Sequence, residues 1–191
     1  QGGSSAVGPR ATVVSTDFTR ERTLAMMQSE PQFHFAPAEL TFQQKLTIHL
    51  DPYSVEIYFP GKAHTSGDAL VYFPQQRAIS MGDLFLNRSS PAMDQGSAEN
   101  WIKALDQVLA RPLDKVVPGH FELGTKVDLQ RFRDYLSDLF TQIRRLYRRG
   151  VREQDAFRQL HMEKYSDFRQ FPKYHATFAD NAEVIYQQLE Q

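Results

Sequence analysis

Residues 61–83 read Gly-Lys-Ala-His-Thr-Ser-Gly-Asp-Ala-Leu-Val-Tyr-Phe-Pro-Gln-Gln-Arg-Ala-Ile-Ser-Met-Gly-Asp. Two short apolar runs, Ala69 to Phe73 and Ala78 to Met81, flank Pro74-Gln75-Gln76. Turn-forming residues between β-rich runs predict a hairpin. Gly67 and Gly82 each precede an aspartate, and His64 stands just ahead of the first pair. A ribbon of this register places His64 and Asp83 at comparable levels near one end.

Working outward, Val116-Val117-Pro118-Gly119-His120 closes another short apolar run with a second histidine. Two imidazoles and one carboxylate, each just off a strand end, suit a borderline metal ion such as zinc. On the C-terminal side, Ser97 caps a predicted helix to about Ala110, and Lys115 to Val117 reads as a buried strand. From Lys126 to Arg149 apolar residues recur every three or four positions, predicting a long amphipathic helix that Gly150 stops. Upstream, Leu46–Leu50 and Val55–Phe59 alternate around Asp51-Pro52-Tyr53-Ser54, a second hairpin. The middle of the chain is thus expected to form a sheet of several antiparallel neighbours. Before it come a strand at Ala11–Ser15, a helix from Thr16 to Pro31, and an irregular stretch from 31 to 45 anchored by Phe33, Phe35, Leu40 and Phe42. Residues 1–10 read as loop, and residues 151–191 as a helical tail: Glu153–Met162, an aromatic loop to Phe178, then Asn181–Glu190.

His64-Thr65-Ser66-Gly67-Asp68, Gly82-Asp83 and Pro118-Gly119-His120, in that order, resemble the metallo-β-lactamase-fold hydrolases. The resemblance implies an α/β fold, the αββα sandwich, over residues 1–150, with 151–191 as a helical extension packed on it. It also implies that His64, Asp83 and His120 are metal ligands in a two-zinc site, with Asp83 bridging, and that Asp68 orients a metal-bound histidine. Aspartate at the bridging position, with no lysine just after it, looks more like the glyoxalase II branch than the β-lactamases. The implied activity is hydrolysis of a small ester, thioester or related substrate by metal-bound hydroxide.

The family's first metal motif, H-x-H-x-D-H, is absent from the 191 residues. Either Gln1-Gly2-Gly3 is the remnant that follows it, making the sandwich N-terminally incomplete, or Asp17-Phe18-Thr19-Arg20-Glu21-Arg22 is a decayed copy. On both readings the chain supplies one histidine to each metal and one shared carboxylate, so partial or no metal binding and no activity are expected of it alone. The second reading makes it a pseudoenzyme or binding module. A third alternative is an unrelated α/β scaffold whose three turns coincide with the pattern.

Composition narrows the partners. With a net charge of −1, no global field favours nucleic acid or an anionic membrane; a small-molecule substrate is what the resemblance implies. Arg144-Arg145-Leu146-Tyr147-Arg148-Arg149 sits at a helix C-terminus, where cations complement the macrodipole, and reads as a solvated face. No cysteine is present, so disulfides and thiolate ligands are excluded. His34, His49, His161 and His175 lack ligand spacing and read as surface or packing residues. Tyr165, Phe168, Phe171, Tyr174 and Phe178 are expected to pack the tail; the alternative is that they rim a cleft.

Overall fold

The computed structural model describes residues 11–30, 32, 35–93 and 95–190. Strand β1 (Val14–Thr16) leads into helix α1 (Asp17–Ser29), whose N-cap is Thr16: its hydroxyl accepts from the Thr19 N–H at 3.2 Å. Strand β2 (Leu40–Phe42) then pairs with β1 in parallel. The sequence reading left 31–45 irregular, because a three-residue strand carries too short an alternation to register. Phe42 is buried as expected of an anchor, whereas Leu40 is exposed. Residues 1–10, Phe33 and His34 lie outside the described residues.

The main sheet has five strands in chain order: β3 (Lys45–Leu50), β4 (Tyr53–Tyr58), β5 (Leu70–Phe73), β6 (Ala78–Ser80) and β7 (Lys115–Val117). Both expected hairpins form, and β3 to β6 are antiparallel throughout. At the last junction β7, to which the sequence assigned no direction, runs parallel to β6. Helix α2 (Ala98–Leu109) lies between those two strands in sequence and supplies the crossover a parallel pair needs. Only Val116 of β7 is buried, so the strand is less enclosed than its composition suggested.

Strand pleating sorts side chains by parity. Tyr58, Leu70, Tyr72, Ile79 and Val116 face one way and join Trp101, Leu105, Leu129, Phe132 and Leu136 of α2 and α3 (Lys126–Arg148) in one buried cluster. Burying each large apolar side chain there stabilises the fold by roughly 1.5–3 kcal/mol. The opposite face is also apolar, but Ile48, Leu50, Tyr53 and Val117 on it are exposed.

Beyond Gly150, which takes a positive φ of 70° to end α3, the tail is less helical than expected. Helix α4 covers only Glu153–Ala156, continues as a single 3-10 turn to Gln159, and stops where Leu160 turns extended. One turn gains too few backbone hydrogen bonds to propagate by itself, and aromatic packing takes over. Helix α5 starts earlier than expected, at Phe178 (Phe178–Glu190), because Thr177 and Asp180 satisfy each other's backbone N–H groups at 3.1 and 3.0 Å. Tyr165, Phe168, Ala182, Ile185 and Tyr186 enter the same core as the sheet. Inside it, Asn181 Nδ2 donates to Ser90 Oγ and Tyr135 Oη, both at 2.9 Å. Burial pushes the Tyr135 hydroxyl up to about 12, despite its hydrogen bonds to Ser90 and Asn181.

Candidate functional site

His64 stands in a turn held by its own neighbours. Asp68 accepts the Thr65 N–H at 2.8 Å and the Thr65 hydroxyl at 2.6 Å, and Gly67 N–H donates to Thr65 Oγ1 at 3.2 Å. Helix α1 braces this turn, because Thr19 Oγ1 donates to the Gly67 carbonyl at 3.1 Å. A side chain at Gly67 would place Cβ 2.2 Å from Thr19 Oγ1, so only glycine allows the approach. Asp68 Oδ1 lies 3.9 Å from His64 Nδ1, beyond hydrogen-bond range, so in this state Asp68 shapes the turn more than it fixes the imidazole. Trp101 instead meets the His64 ring edge-on, with centroids 5.3 Å apart. The indole N–H donates to Leu84 O at 3.0 Å, linking the His64 turn to the segment that carries Asp83.

Asp83 projects from a 3-10 turn (Gly82–Leu84) entered through Gly82 at φ 51°. The loop after β7 crosses this turn closely: Gly119 N–H donates to Gly82 O at 2.8 Å and to Phe85 O at 3.1 Å. A Cβ at position 119 would fall 2.0 Å from Asp83 Oδ1 and 2.7 Å from the Gly82 carbonyl carbon. That glycine lets His120 come up beside Asp83, with Nε2 3.4 Å from Oδ1. Both side chains are substantially exposed, at 61% and 43%, so each can still reach a ligand.

Two cavities meet at this point. One, of about 410 Å³, is bordered by His64, Asp83 and His120 together with Leu86, Ala92, Phe121, Phe171 and Tyr174. The other, of about 690 Å³, shares His64 and Asp83 and adds Phe18, Thr19, Arg22, Thr65, Asp68 and Gln95. The three residues singled out as ligands therefore border one space. Among the described residues, however, no three His, Asp or Glu side chains gather closely enough to hold an ion by themselves. His49, His161 and His175 are exposed and do not border these cavities, although His175 lies between Tyr174 and Ala176, which border the smaller one. The tail aromatics divide: Tyr165 and Phe168 are core, while Phe171 and Tyr174 border the smaller cavity. Phe121, Ser90 and Ala176 also border it and were not singled out by the sequence reading. For Phe121 the available signal was its place directly after His120.

Residues 34–120, which carry all three turns, match the model of the metallo-beta-lactamase superfamily. The α/β architecture of the chain is the metallo-β-lactamase fold. Among curated proteins, it is 28% identical over 111 residues to the 2,4-dinitroanisole O-demethylase subunit alpha of Nocardioides sp. (strain JS1661), covering 57% of this chain and 33% of that protein. It is 33% identical over 79 residues to the metallo-beta-lactamase type 2 of Bacillus cereus, covering 38% of this chain and 30% of that protein. The chain thus spans about a third of the length of these relatives. Among solved structures, a metallo-beta-lactamase from Pontibacter korlensis superposes with a TM-score of 0.55 at 23% identity, over 66% of this chain and 58% of that one. The inverting sec-alkylsulfatase Pisa1 from Pseudomonas sp. gives 0.64 at 17% identity, over 80% of this chain and 26% of that one. At such identities the likeness speaks to fold alone.

Proposed function

We propose that this chain is part of a zinc-dependent hydrolase of a small ester, thioester or related substrate, with His64, Asp83 and His120 as metal ligands. The observation that carries the proposal is the 3.4 Å approach of His120 to Asp83, inside a cavity that His64 also borders. The donor set fits zinc in type, two imidazole nitrogens and a carboxylate, though the three are not gathered into a closed cluster. Asp83 is the only one of the three within reach of both imidazole-bearing turns by construction: Trp101 ties its segment to His64, and Gly119 ties it to His120. It is therefore the residue suited to be shared between two ions. When bound, zinc supplies Lewis-acid polarisation and acidifies water. The residues of this chain hold the donors in place: Asp68 and Thr65 shape the His64 turn, and Gly119 brings the His120 loop against the Asp83 turn.

Because three protein ligands are the usual minimum for a catalytic zinc, the chain by itself is expected to be incompetent. A second reading is a binding module of the same fold that has lost the first metal motif. It is favoured by one observation: Phe18, Thr19 and Arg22, none a usual zinc ligand, border the larger cavity beside His64 and Asp83. The residues encoded immediately before Gln1 separate the two readings. Finding H-x-H-x-D-H there supports the hydrolase; a methionine start or unrelated residues support the module. In the complete protein, His64→Ala and His120→Ala are each expected to lower zinc content and abolish ester turnover.

A further inference from the structure

We propose that the smaller cavity is a subsite for a hydrocarbon group, the aryl or alkyl part of the substrate, and that Phe121, Phe171 and Tyr174 form its wall. The proposal deepens the hydrolase reading and rests on it for the word substrate. Its geometry stands independently.

Aside from His64, Asp83, Ser90 and His120, every residue bordering this cavity presents carbon: Leu86, Ala92, Phe121, Phe171, Tyr174 and Ala176. Such a concave apolar surface beside a few convergent polar groups is the usual form of a small-molecule site. Two of its aromatics are held out toward solvent, with Phe121 41% and Tyr174 65% exposed, whereas Tyr165 and Phe168 of the same tail are buried. Core packing does not explain that difference.

The backbone bears a cost to hold them there. Phe121 has φ of 75°, a genuine outlier for a bulky side chain, and His175, directly after Tyr174, has φ of 50°. Strain of this kind costs of order 1–3 kcal/mol per residue and gathers at ligand sites. Phe121 is further pre-positioned on two sides. Phe171 stacks with it at 5.8 Å and 7° between planes, and the Arg169 guanidinium lies 4.6 Å from its centroid. Arg169 is in turn fixed by Glu122 at 2.9 Å and by the Asn87 carbonyl at 3.2 Å. An aromatic surface ordered before any ligand arrives loses little freedom on binding. Its place next to His120 sets the hydrocarbon group against one side of the donors, while the polar cavity with Arg22 and Gln95 lies on the other.

The test is binding of 2-naphthol to the chain without metal, followed by ligand-observed NMR titration. Saturable binding is expected. It should weaken by about 3- to 10-fold in Phe171→Ala and in Tyr174→Ala, the range of one lost aromatic contact. Ala92→Phe, which fills the cavity, should block it. Tyr174 is exposed, so its variant keeps the fold, which circular dichroism would verify. Leu50→Ser, on the exposed sheet face, should leave binding unchanged. No saturable binding, binding indifferent to positions 92, 171 and 174, or binding lost in Leu50→Ser would overturn the proposal. Failure of the hydrolase reading has a different signature: the complete protein would hold no zinc while naphthol still bound.

Discussion

Gly119 is the residue on which the site geometry turns. Its N–H groups the His120 loop with the Asp83 turn through Gly82 and Phe85, and its missing side chain leaves room for Asp83 Oδ1. Gly119→Ala is expected to push Asp83 or the loop aside at a cost of about 1–3 kcal/mol, the usual range for overpacking. Chemical denaturation would measure that loss, and zinc content of the complete protein should fall further than the stability change alone explains. At this scale the sequence was informative where chemistry is local. The turns that carry His64, Asp83 and His120 are readable because each is framed by its own Gly, Asp or Pro residues. Phe121 is not, because its exposure depends on a positive φ and on Phe171 and Arg169, about fifty residues downstream. Asp68, read from the sequence as a carboxylate that steadies its turn or a metal-bound histidine, gives both oxygens to Thr65.

Elements hold the site from behind. Asn181 on α5 reaches Ser90 and Tyr135 in the core, and Ser90 borders the hydrocarbon-lined cavity. Asn181→Ala would take one hydrogen bond from each of two buried hydroxyls, which keep their 3.0 Å bond to each other, destabilising the protein by about 0.5–1.5 kcal/mol per bond lost; urea melts would measure it. A second tether joins α3 to the tail, where Arg131 donates to Asp167 at 2.6 and 2.8 Å. The hydrogen bond from Arg131 holds the Asp167 carboxyl below its usual range. The folded value then lies under the unfolded one, so this stabilisation is complete above about pH 4 and fades as pH falls through the folded value. Both groups are partly exposed, so the pair is worth only about 0.2–1 kcal/mol. Arg131→Gln should therefore be slightly less stable than the parent at pH 7, with the difference shrinking as the pH falls below about 4. Long helices were legible because α2 and α3 repeat their apolar spacing over several turns. The early end of α4 was not, since nothing in Glu153–Met162 announces that Leu160 turns extended.

On the scale of the whole molecule, the sheet is apolar along most of one face. On the other it is apolar from Tyr58 across β5 to β7, with Lys45, Thr47, His49, Ser54 and Glu56 making the β3–β4 end of that second face polar. The second face is sealed by α2 and α3, and on the first Ile48, Leu50, Tyr53 and Val117 are exposed. An antiparallel sheet meant for water usually carries polar residues on its outer face, so this face suits the interior of a two-sheet sandwich. The hairpins that build it were readable from alternation, while the parallel β6–β7 junction was not, because β7 contributes only three residues and its pairing depends on the α2 crossover. The proposed ligands are likewise divided, with His120 beside Asp83 and His64 on the adjoining turn. After dialysis the 191-residue chain is expected to retain less than one zinc per molecule; elemental analysis would check this.

The most direct measurement is anomalous scattering at the zinc edge from crystals of the complete protein grown with zinc. The account predicts a peak with Asp83 oxygen and His120 nitrogen at about 2.0–2.2 Å, and a second ion that takes His64. Zinc bound away from all three side chains, or an ordered site that stays empty at saturating zinc, would contradict it.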